Sequence, residues 1–211
     1  MNRLVVLVIA FVPLAAGPAP PTPPAEWAAT PGHPYQREQH ANVPAEMWAV
    51  IEIPMGSSVK YEFDKATGHL MVDRFQAMPV AAPANYGSFP RTLALDGDPL
   101  DAVLIARHPV QAGAFVRVRP VGVIRTVDGE HKDDKILVVP VSALDTTYDD
   151  VRDLGDIPRA ERDRIAAYFR VYKQLPGGLE GRILETLGRD VAERLIRESM
   201  ESYRRRLAGS R

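Results

Sequence analysis

The stretches FVRVRPVGVI (115–124) and KILVVPV (135–141) are strand-like runs rich in β-branched residues, and the turn signal VDGE lies between them. Five shorter runs of the same kind precede them, and residues typical of turns, such as MGSS, KATG, DGD and QAG, separate these. They are AVIEI (49–53), VKYEF (59–63), LMVDRF (70–75), TLAL (92–95) and AVLIA (102–106). Many short strands in regular succession predict a closed antiparallel β-barrel.

After residue 144 the pattern becomes that of amphipathic helices. The segment 157–175 follows Asp156, a good N-cap, and the segment 189–207 has Asp190 in or just before its first turn. The expected buried faces carry Ile165, Phe169 and Tyr172 in the first helix, and Val191, Leu195, Ser199 and Tyr203 in the second. The predicted fold class is therefore mainly β with added helices (α+β): an OB-like closed antiparallel β-barrel with two C-terminal amphipathic helices.

Composition limits the possible functions. The chain has 211 residues, enough for a hydrophobic core without disulfides or structural metals. It contains no cysteine, which excludes disulfide scaffolds, zinc ribbons, Fe–S clusters and thiol nucleophiles. The formal net charge of −1 provides no general field for nucleic acids or anionic membranes, so we expect neither as a partner.

The N-terminus differs from the rest of the chain. Residues 1–17 have one early Arg, then an apolar run, then small residues suited to a cleavage site, which is the pattern of a signal peptide. An uncleaved anchor or a start codon assigned too far upstream would look the same. Residues 18–42 include a Pro-rich stretch that predicts a linker, and residues 43–208 form the predicted domain. We expect export, periplasmic or secreted, without stable membrane association after cleavage; the alternative is a cytoplasmic protein.

Three aspartates, Asp96, Asp98 and Asp101, crowd the junction between two apolar runs. A bend at Gly97 could bring them to one cavity, where a divalent cation would relieve their repulsion. Oxygen-only ligands indicate Mg²⁺, Mn²⁺ or Ca²⁺. An acidic surface turn is the simpler alternative. An EF-hand is excluded, because the positions that require Gly and Glu are occupied by Asp101 and Arg107.

Further charged residues could complete such a site. A second acidic group, Asp128, Glu130, Asp133 and Asp134, lies in the expected hairpin loop and could equally be solvated. Glu52 and Glu62 are embedded in apolar strands, where either could simply point to solvent. Lys60 should share a strand face with Glu62. Convergent carboxylates, cations and tyrosines suit metal-assisted phosphate chemistry.

In their order along the chain, these motifs resemble those of the soluble, Mg²⁺-dependent, barrel-type inorganic pyrophosphatases. The motifs are VIEIP, VKYEFDKATGHLMVDRF, NYG, LDGDPLDAVL, RPVGVI, DDK and YFRVYK, within about residues 43–175. The stretch DGDPLD matches the signature D-[SG]-D-P-x-D of that family. The resemblance implies hydrolysis of inorganic diphosphate to two phosphates by metal-activated water, several Mg²⁺ ions per site with Mn²⁺ or other divalent ions as substitutes, and a homo-oligomer.

The resemblance also implies roles for individual residues. Asp98 would be the general base that accepts a proton from the attacking water. Asp96, Asp101 and Asp133 would hold the activating metal, and Asp101 would also hold a second. Asp128 and Asp133, with Glu52 and Glu62 nearby, would hold the metals that arrive with pyrophosphate. The expected phosphate-binding residues are Lys60, Arg74, Tyr86, Lys135, Tyr172 and Lys173.

Two other functions fit a small barrel. An oligonucleotide-binding module would need a basic groove and stacking aromatics, but the aromatic content is only 7% and the charge is near neutral. A metal-dependent phosphatase acting on organic phosphates would need a pocket for the organic group, and no motif for one is evident.

Overall fold

The structure, a computed structural model, describes residues 30–128, 131–178 and 181–209. Within these ranges the chain forms eight strands, two α-helices and three short 3₁₀ turns. The strands are β1 (Met47–Ile53), β2 (Val59–Phe63), β3 (Leu70–Phe75), β4 (Asn85–Ser88), β5 (Asp101–Leu104), β6 (Phe115–Asp128), β7 (His131–Pro140) and β8 (Arg182–Gly188). The helices are α1 (Arg159–Val171) and α2 (Arg189–Gly209), and the 3₁₀ turns are Pro34–Gln36, Thr146–Tyr148 and Leu154–Asp156.

Five strands pair in the order β1–β4–β5–β7–β6, and β6 pairs again with β1, which closes the ring. The predicted mainly β barrel with two added helices is confirmed. One pairing, β5 with β7, is parallel rather than antiparallel. β8 pairs with the long strand β6 outside the ring, and β2 and β3 form a separate hairpin.

The two helices cover different core clusters. Ile136 and Val138 of β7 pack in a cluster with Ile196 of α2, whereas Leu137 and Val139, alternate residues of the same strand, pack with Phe169 of α1. Both faces of β7 are therefore buried, which explains its continuous apolar run. Burial of each large apolar side chain stabilises the fold by about 1.5–3 kcal/mol. Both clusters therefore stabilise the packing of the helices on the barrel.

Several details differ from the sequence-based expectations. TLAL is not a strand: residues 92–95 form a loop in which Leu95 is exposed, and the strand of this region is Asn85–Ser88 instead. β8 was not predicted, because RILETLG alternates weakly and carries charges. Helix α1 follows Pro158, and Asp156 ends the preceding 3₁₀ turn, so the expected N-cap lies too early.

The N-terminal predictions fall partly outside the described residues, which begin at residue 30. The predicted signal peptide (1–17) and the first part of the predicted linker (18–29 of 18–42) lie before that point. The part of the linker from His33 onward packs on the barrel, since His33 and Tyr35 are buried. In the described part of the chain, no helix combines the length and apolarity that a membrane crossing requires.

Candidate active site

The three aspartates of DGDPLD lie around one cavity of about 200 Å³. Gly97 has φ of +91°, a left-handed conformation that favours glycine. This bend lets the backbone N–H of Asp98 donate to Oδ1 of Asp96 at 3.0 Å. β5 then begins at Asp101, so the bend delivers two carboxylates and the strand delivers the third. The expected convergence of these residues is present.

β7 supplies the facing wall through Asp133 and Lys135. Lys135 is the register partner of Asp101 in the parallel β5–β7 pairing, and Asp133 lies two residues earlier, on the same strand face. The Lys135 ammonium forms ion pairs with both carboxylates. Burial alone would lower the pKa of Lys135, but Asp101 and Asp133 hold it above its ordinary value.

Burial raises the pKa of several carboxyl groups in this cavity. Burial raises the pKa of Glu52 to about 8, with Asp101 and Glu62 adding to the effect and hydrogen bonds from Tyr35 and Ser88 opposing it. Burial also raises the pKa of Asp101 to about 6 against the pull of Lys135. Burial likewise raises the pKa of Asp96. Additional positive charge would stabilise the ionised carboxylates.

The β2–β3 hairpin contributes a second charged group. A bulge shifts the register between Lys60 and Tyr61, so that Lys60 pairs with Arg74 and Asp73 is the extra residue. Lys60 Nζ lies 2.8 Å from Glu62 Oε2 and 3.0 Å from Asp73 Oδ2. Burial lowers the pKa of Lys60, but these carboxylates outweigh that effect and raise it.

Tyrosines form the remaining wall. The Tyr86 hydroxyl accepts from Lys135 Nζ at 3.3 Å. At the end of α1, the rings of Tyr168 and Tyr172 stack with centroids 5.0 Å apart, and Lys173 Nζ lies 5.5 Å from the Tyr172 ring centre. Gln76 donates to the Tyr168 hydroxyl at 3.1 Å. Cations and hydroxyl groups thus face the acidic side of the cavity.

All predicted site residues except Asp128 line this cavity. They are Asp98; Asp96, Asp101, Asp133, Glu52 and Glu62; and Lys60, Arg74, Tyr86, Lys135, Tyr172 and Lys173. Asp128 ends β6, and its side chain lies outside the described part of the structure.

Sequence reasoning missed other polar residues of the cavity: Tyr35, Lys65, Gln76, Ser88 and Tyr168. Lys65 forms an ion pair with Asp98 and so stands beside the expected general base. Its position in the β2–β3 turn, outside any strand, gave no alternation pattern that could assign it to the site.

The donor set suits hard divalent cations, because every candidate ligand is a carboxylate oxygen. In the described ranges, no three acidic or histidine side chains are grouped as a metal site. Lysine ammonium groups instead contact the carboxylates of Asp101, Asp133 and Asp98. Burial raises the pKa values of Glu52 and Asp101, and bound cations would stabilise their ionised forms, so the cavity fits added cations.

Comparisons with known proteins agree in sequence and fold. Residues 49–204 match the family model described as inorganic pyrophosphatase. The inorganic pyrophosphatase of Aquifex pyrophilus is 41% identical over 164 residues, covering 78% of this chain and 93% of the relative, and that of Caulobacter vibrioides is 42% identical over 163 residues, covering 77% and 92%. The solved inorganic pyrophosphatase of Helicobacter pylori superposes with a TM-score of 0.77 at 33% identity, covering 80% of this chain and 99% of that one.

Proposed function

The chain belongs to the inorganic pyrophosphatase family, and from this premise we propose that its acidic cavity hydrolyses inorganic diphosphate to two phosphates. The enzyme class follows from the family: a hydrolase acting on diphosphate. The observation that supports this location is the convergence of carboxylates with lysine, arginine and tyrosine side chains in a single cavity. Such a mixture can bind a highly charged anion together with its counter-ions.

The carboxylates would hold divalent metal ions, in our proposal Mg²⁺ with Mn²⁺ as a substitute. Asp96, Asp101 and Asp133 would hold the activating ion, and Asp101 would also hold a second ion. Asp128 and Asp133, with Glu52 and Glu62, would serve ions that arrive with the substrate. When bound, the ions supply positive charge to phosphoryl oxygens and lower the pKa of water.

In the proposed reaction, a water oxygen attacks one phosphorus in line with the P–O bond that breaks. Asp98 accepts the proton of that water, and the bridging oxygen departs with the second phosphate. Lys60, Arg74, Lys135 and Lys173 hold the phosphoryl oxygens by charge, and the hydroxyls of Tyr86 and Tyr172 donate hydrogen bonds to them. Positioning and electrostatic stabilisation can supply most of the catalysis of a phosphoryl transfer, so no covalent enzyme intermediate is needed.

The test is release of phosphate from pyrophosphate by the purified chain from about Gly17 onward, with and without Mg²⁺. We expect Mg²⁺-dependent release that falls by about 10²–10⁴-fold in Asp98→Asn, the range typical of a lost general base. Asp150→Asn, the same change at an exposed residue outside the cavity, should retain full activity. Unchanged activity in Asp98→Asn would remove Asp98 from the proposed role.

The assay also separates the rival functions. p-Nitrophenyl phosphate tests for a phosphatase of organic phosphates, and equal turnover of both substrates would favour that activity. A fluorescent oligonucleotide tests for a binding module. We expect turnover of pyrophosphate alone and no retention of the oligonucleotide.

Location and assembly complete the proposal. We propose that residues 1–17 direct export and that the mature protein is a homo-oligomer. N-terminal sequencing of the protein from its native cell compartment tests the first point. Light scattering of the mature chain tests the second: the mass of one 23.3 kDa chain or less would contradict assembly.

A further inference from the structure

An N-terminal strap, defined as residues 33–39, is fastened to the barrel next to β1. The Gln39 amide donates to the carbonyl oxygens of Trp48 and Pro90 at 3.0 and 2.9 Å, and its oxygen accepts from the Trp48 N–H at 2.9 Å. The Arg37 guanidinium lies 4.4 Å from the Trp48 ring centre. These contacts give a polar, specific attachment at the C-terminal end of the strap.

Arg91 fastens the middle of the strap. Its backbone N–H donates to the Tyr35 carbonyl at 2.8 Å, and its Nε donates to the Gln36 carbonyl at 2.9 Å. Arg91 has φ of +55°, a left-handed conformation unusual for a residue with a side chain. Such strain persists only where the surrounding contacts determine the conformation. The strap is therefore held in a defined position at Tyr35.

Tyr35 points its hydroxyl into the candidate active site. The hydroxyl donates to Oε1 of Glu52 at 2.5 Å, and the Ser88 hydroxyl donates to the same oxygen at 3.0 Å. Glu52 is 4% exposed, and both Tyr35 and Ser88 line the cavity. Two donors on one oxygen, from the strap and from β4, fix the rotation of the carboxylate about its terminal bond.

The ring of Tyr35 is positioned separately from its hydroxyl. It is buried, and it packs edge-on against Phe63 with centroids 5.6 Å apart and beside the His33 ring at 4.8 Å. A phenylalanine would keep these ring contacts and remove the hydroxyl that donates to Glu52. The role of the hydroxyl can therefore be measured apart from that of the ring.

We propose that Tyr35 is a positioning residue, which acts through Glu52 to orient the carboxylate for divalent cations that enter with the phosphate ligand. This inference rests on the proposed function, in which Glu52 serves those ions. It extends the working site to a residue that precedes the barrel motifs and lies in a segment that the sequence predicted to be a linker. Neighbours that orient a metal ligand typically affect metal affinity by roughly 10–100-fold.

The experiment titrates Mn²⁺ into the full mature chain by calorimetry, first alone and then with inorganic phosphate present. We expect Tyr35→Phe to weaken Mn²⁺ binding in the presence of phosphate by roughly 10-fold. Tyr61→Phe is the matched control, because Tyr61 loses the same atom but lies outside the cavity. Its Mn²⁺ affinity should equal that of the wild type, and thermal unfolding checks that every variant is folded.

A double-mutant cycle with Glu52→Gln separates positioning from a merely structural effect. If Tyr35 acts through Glu52, adding Tyr35→Phe to the Glu52→Gln variant should weaken Mn²⁺ binding little further. The proposal would be overturned if Tyr35→Phe weakened Mn²⁺ binding as much in the Glu52→Gln variant as in the wild type. An unchanged Mn²⁺ affinity in Tyr35→Phe alone would also overturn it. Failure of the proposed function is visible separately, as absence of phosphate release from pyrophosphate by the wild type.

Discussion

Asp101 and Lys135 are register partners in the parallel pairing of β5 with β7, and their side chains form an ion pair inside the candidate active site. The same ammonium also pairs with Asp133. Lys135 is 3% exposed, so a single buried cation pairs with two carboxylates, one on β5 and one on β7. The stability of the metal-free protein should depend on this cation.

Lys135→Met should lower the free energy of unfolding, measured in urea with a chelator, by about 3 kcal/mol. Loss of one partner leaves buried charge uncompensated, which costs more than the pair itself contributes. Addition of Mg²⁺ should recover part of the loss, since it replaces positive charge. Lys132→Met, at an exposed position of the same strand, should change stability little. Equal effects of the two substitutions would contradict this account.

Mg²⁺ should raise the melting temperature of the wild type. A ligand that binds only the folded state stabilises it by about 2.7 kcal/mol at one hundred times its dissociation constant. Asp101→Asn should abolish most of this Mg²⁺-dependent shift in differential scanning fluorimetry, because it removes a carboxylate that we assign to two ions. Asp150→Asn should preserve the shift, and a full shift in Asp101→Asn would argue against Asp101 as a ligand.

Gly87→Ala should destabilise the barrel by at least about 2 kcal/mol, within the range for overpacked positions. A Cβ on Gly87 would lie 1.9 Å from the Val50 carbonyl oxygen of β1, the antiparallel neighbour of β4. Gly155→Ala is the control, because its Cβ would meet nothing within 4 Å. Chemical denaturation of both variants should separate them clearly; similar stabilities would show that β1 and β4 can move apart.

His33 should make stability depend on pH. Burial lowers the pKa of His33 below its ordinary value, with the Asp64 carbonyl and carboxylate opposing the effect. The neutral ring accepts the Tyr35 N–H at Nδ1 and donates from Nε2 to the Asp64 carbonyl oxygen. Because the unfolded chain binds protons more readily, this contribution is present above about pH 6.5 and is lost as pH falls.

His33→Asn keeps a side-chain acceptor at this position and removes the titrating ring. We therefore expect the wild type to lose more unfolding free energy than His33→Asn between about pH 7.5 and about pH 5, as measured in urea. Parallel curves for the two proteins would show that His33 does not titrate as described.

Strand alternation predicted one pair of site residues. It placed Lys60 with Glu62 on one strand face, as the structure does, and the resemblance supplied most of the remaining residues. Residues outside strands were harder to assign. Lys65 reaches Asp98 from a turn and Tyr35 reaches Glu52 from a proline-rich segment, and such contacts depend on how the chain folds back in space.

The same dependence on tertiary contacts explains the errors in the predicted strands. TLAL has a strand-like composition, but Thr92 is buried and Leu95 is 83% exposed, so its residues follow the loop rather than an alternating face. NYGS is short and contains glycine, and only pairing with β1 and β5 makes it a strand. Tertiary pairing overrode local propensity at both places.

Closure of the ring through β1 and β6 also has a kinetic consequence. Met47 pairs with Val118, far along the chain, whereas β6 and β7 are neighbours in sequence. Local hairpins form early in folding, and contacts between distant segments bear a larger loop-closure cost. Glu52 of β1 is linked to Asp101 of β5 and Asp133 of β7 through β4, on the side of the ring away from the β1–β6 pairing. During refolding, the onset of phosphate release should therefore precede the pairing of β1 with β6 that closes the barrel.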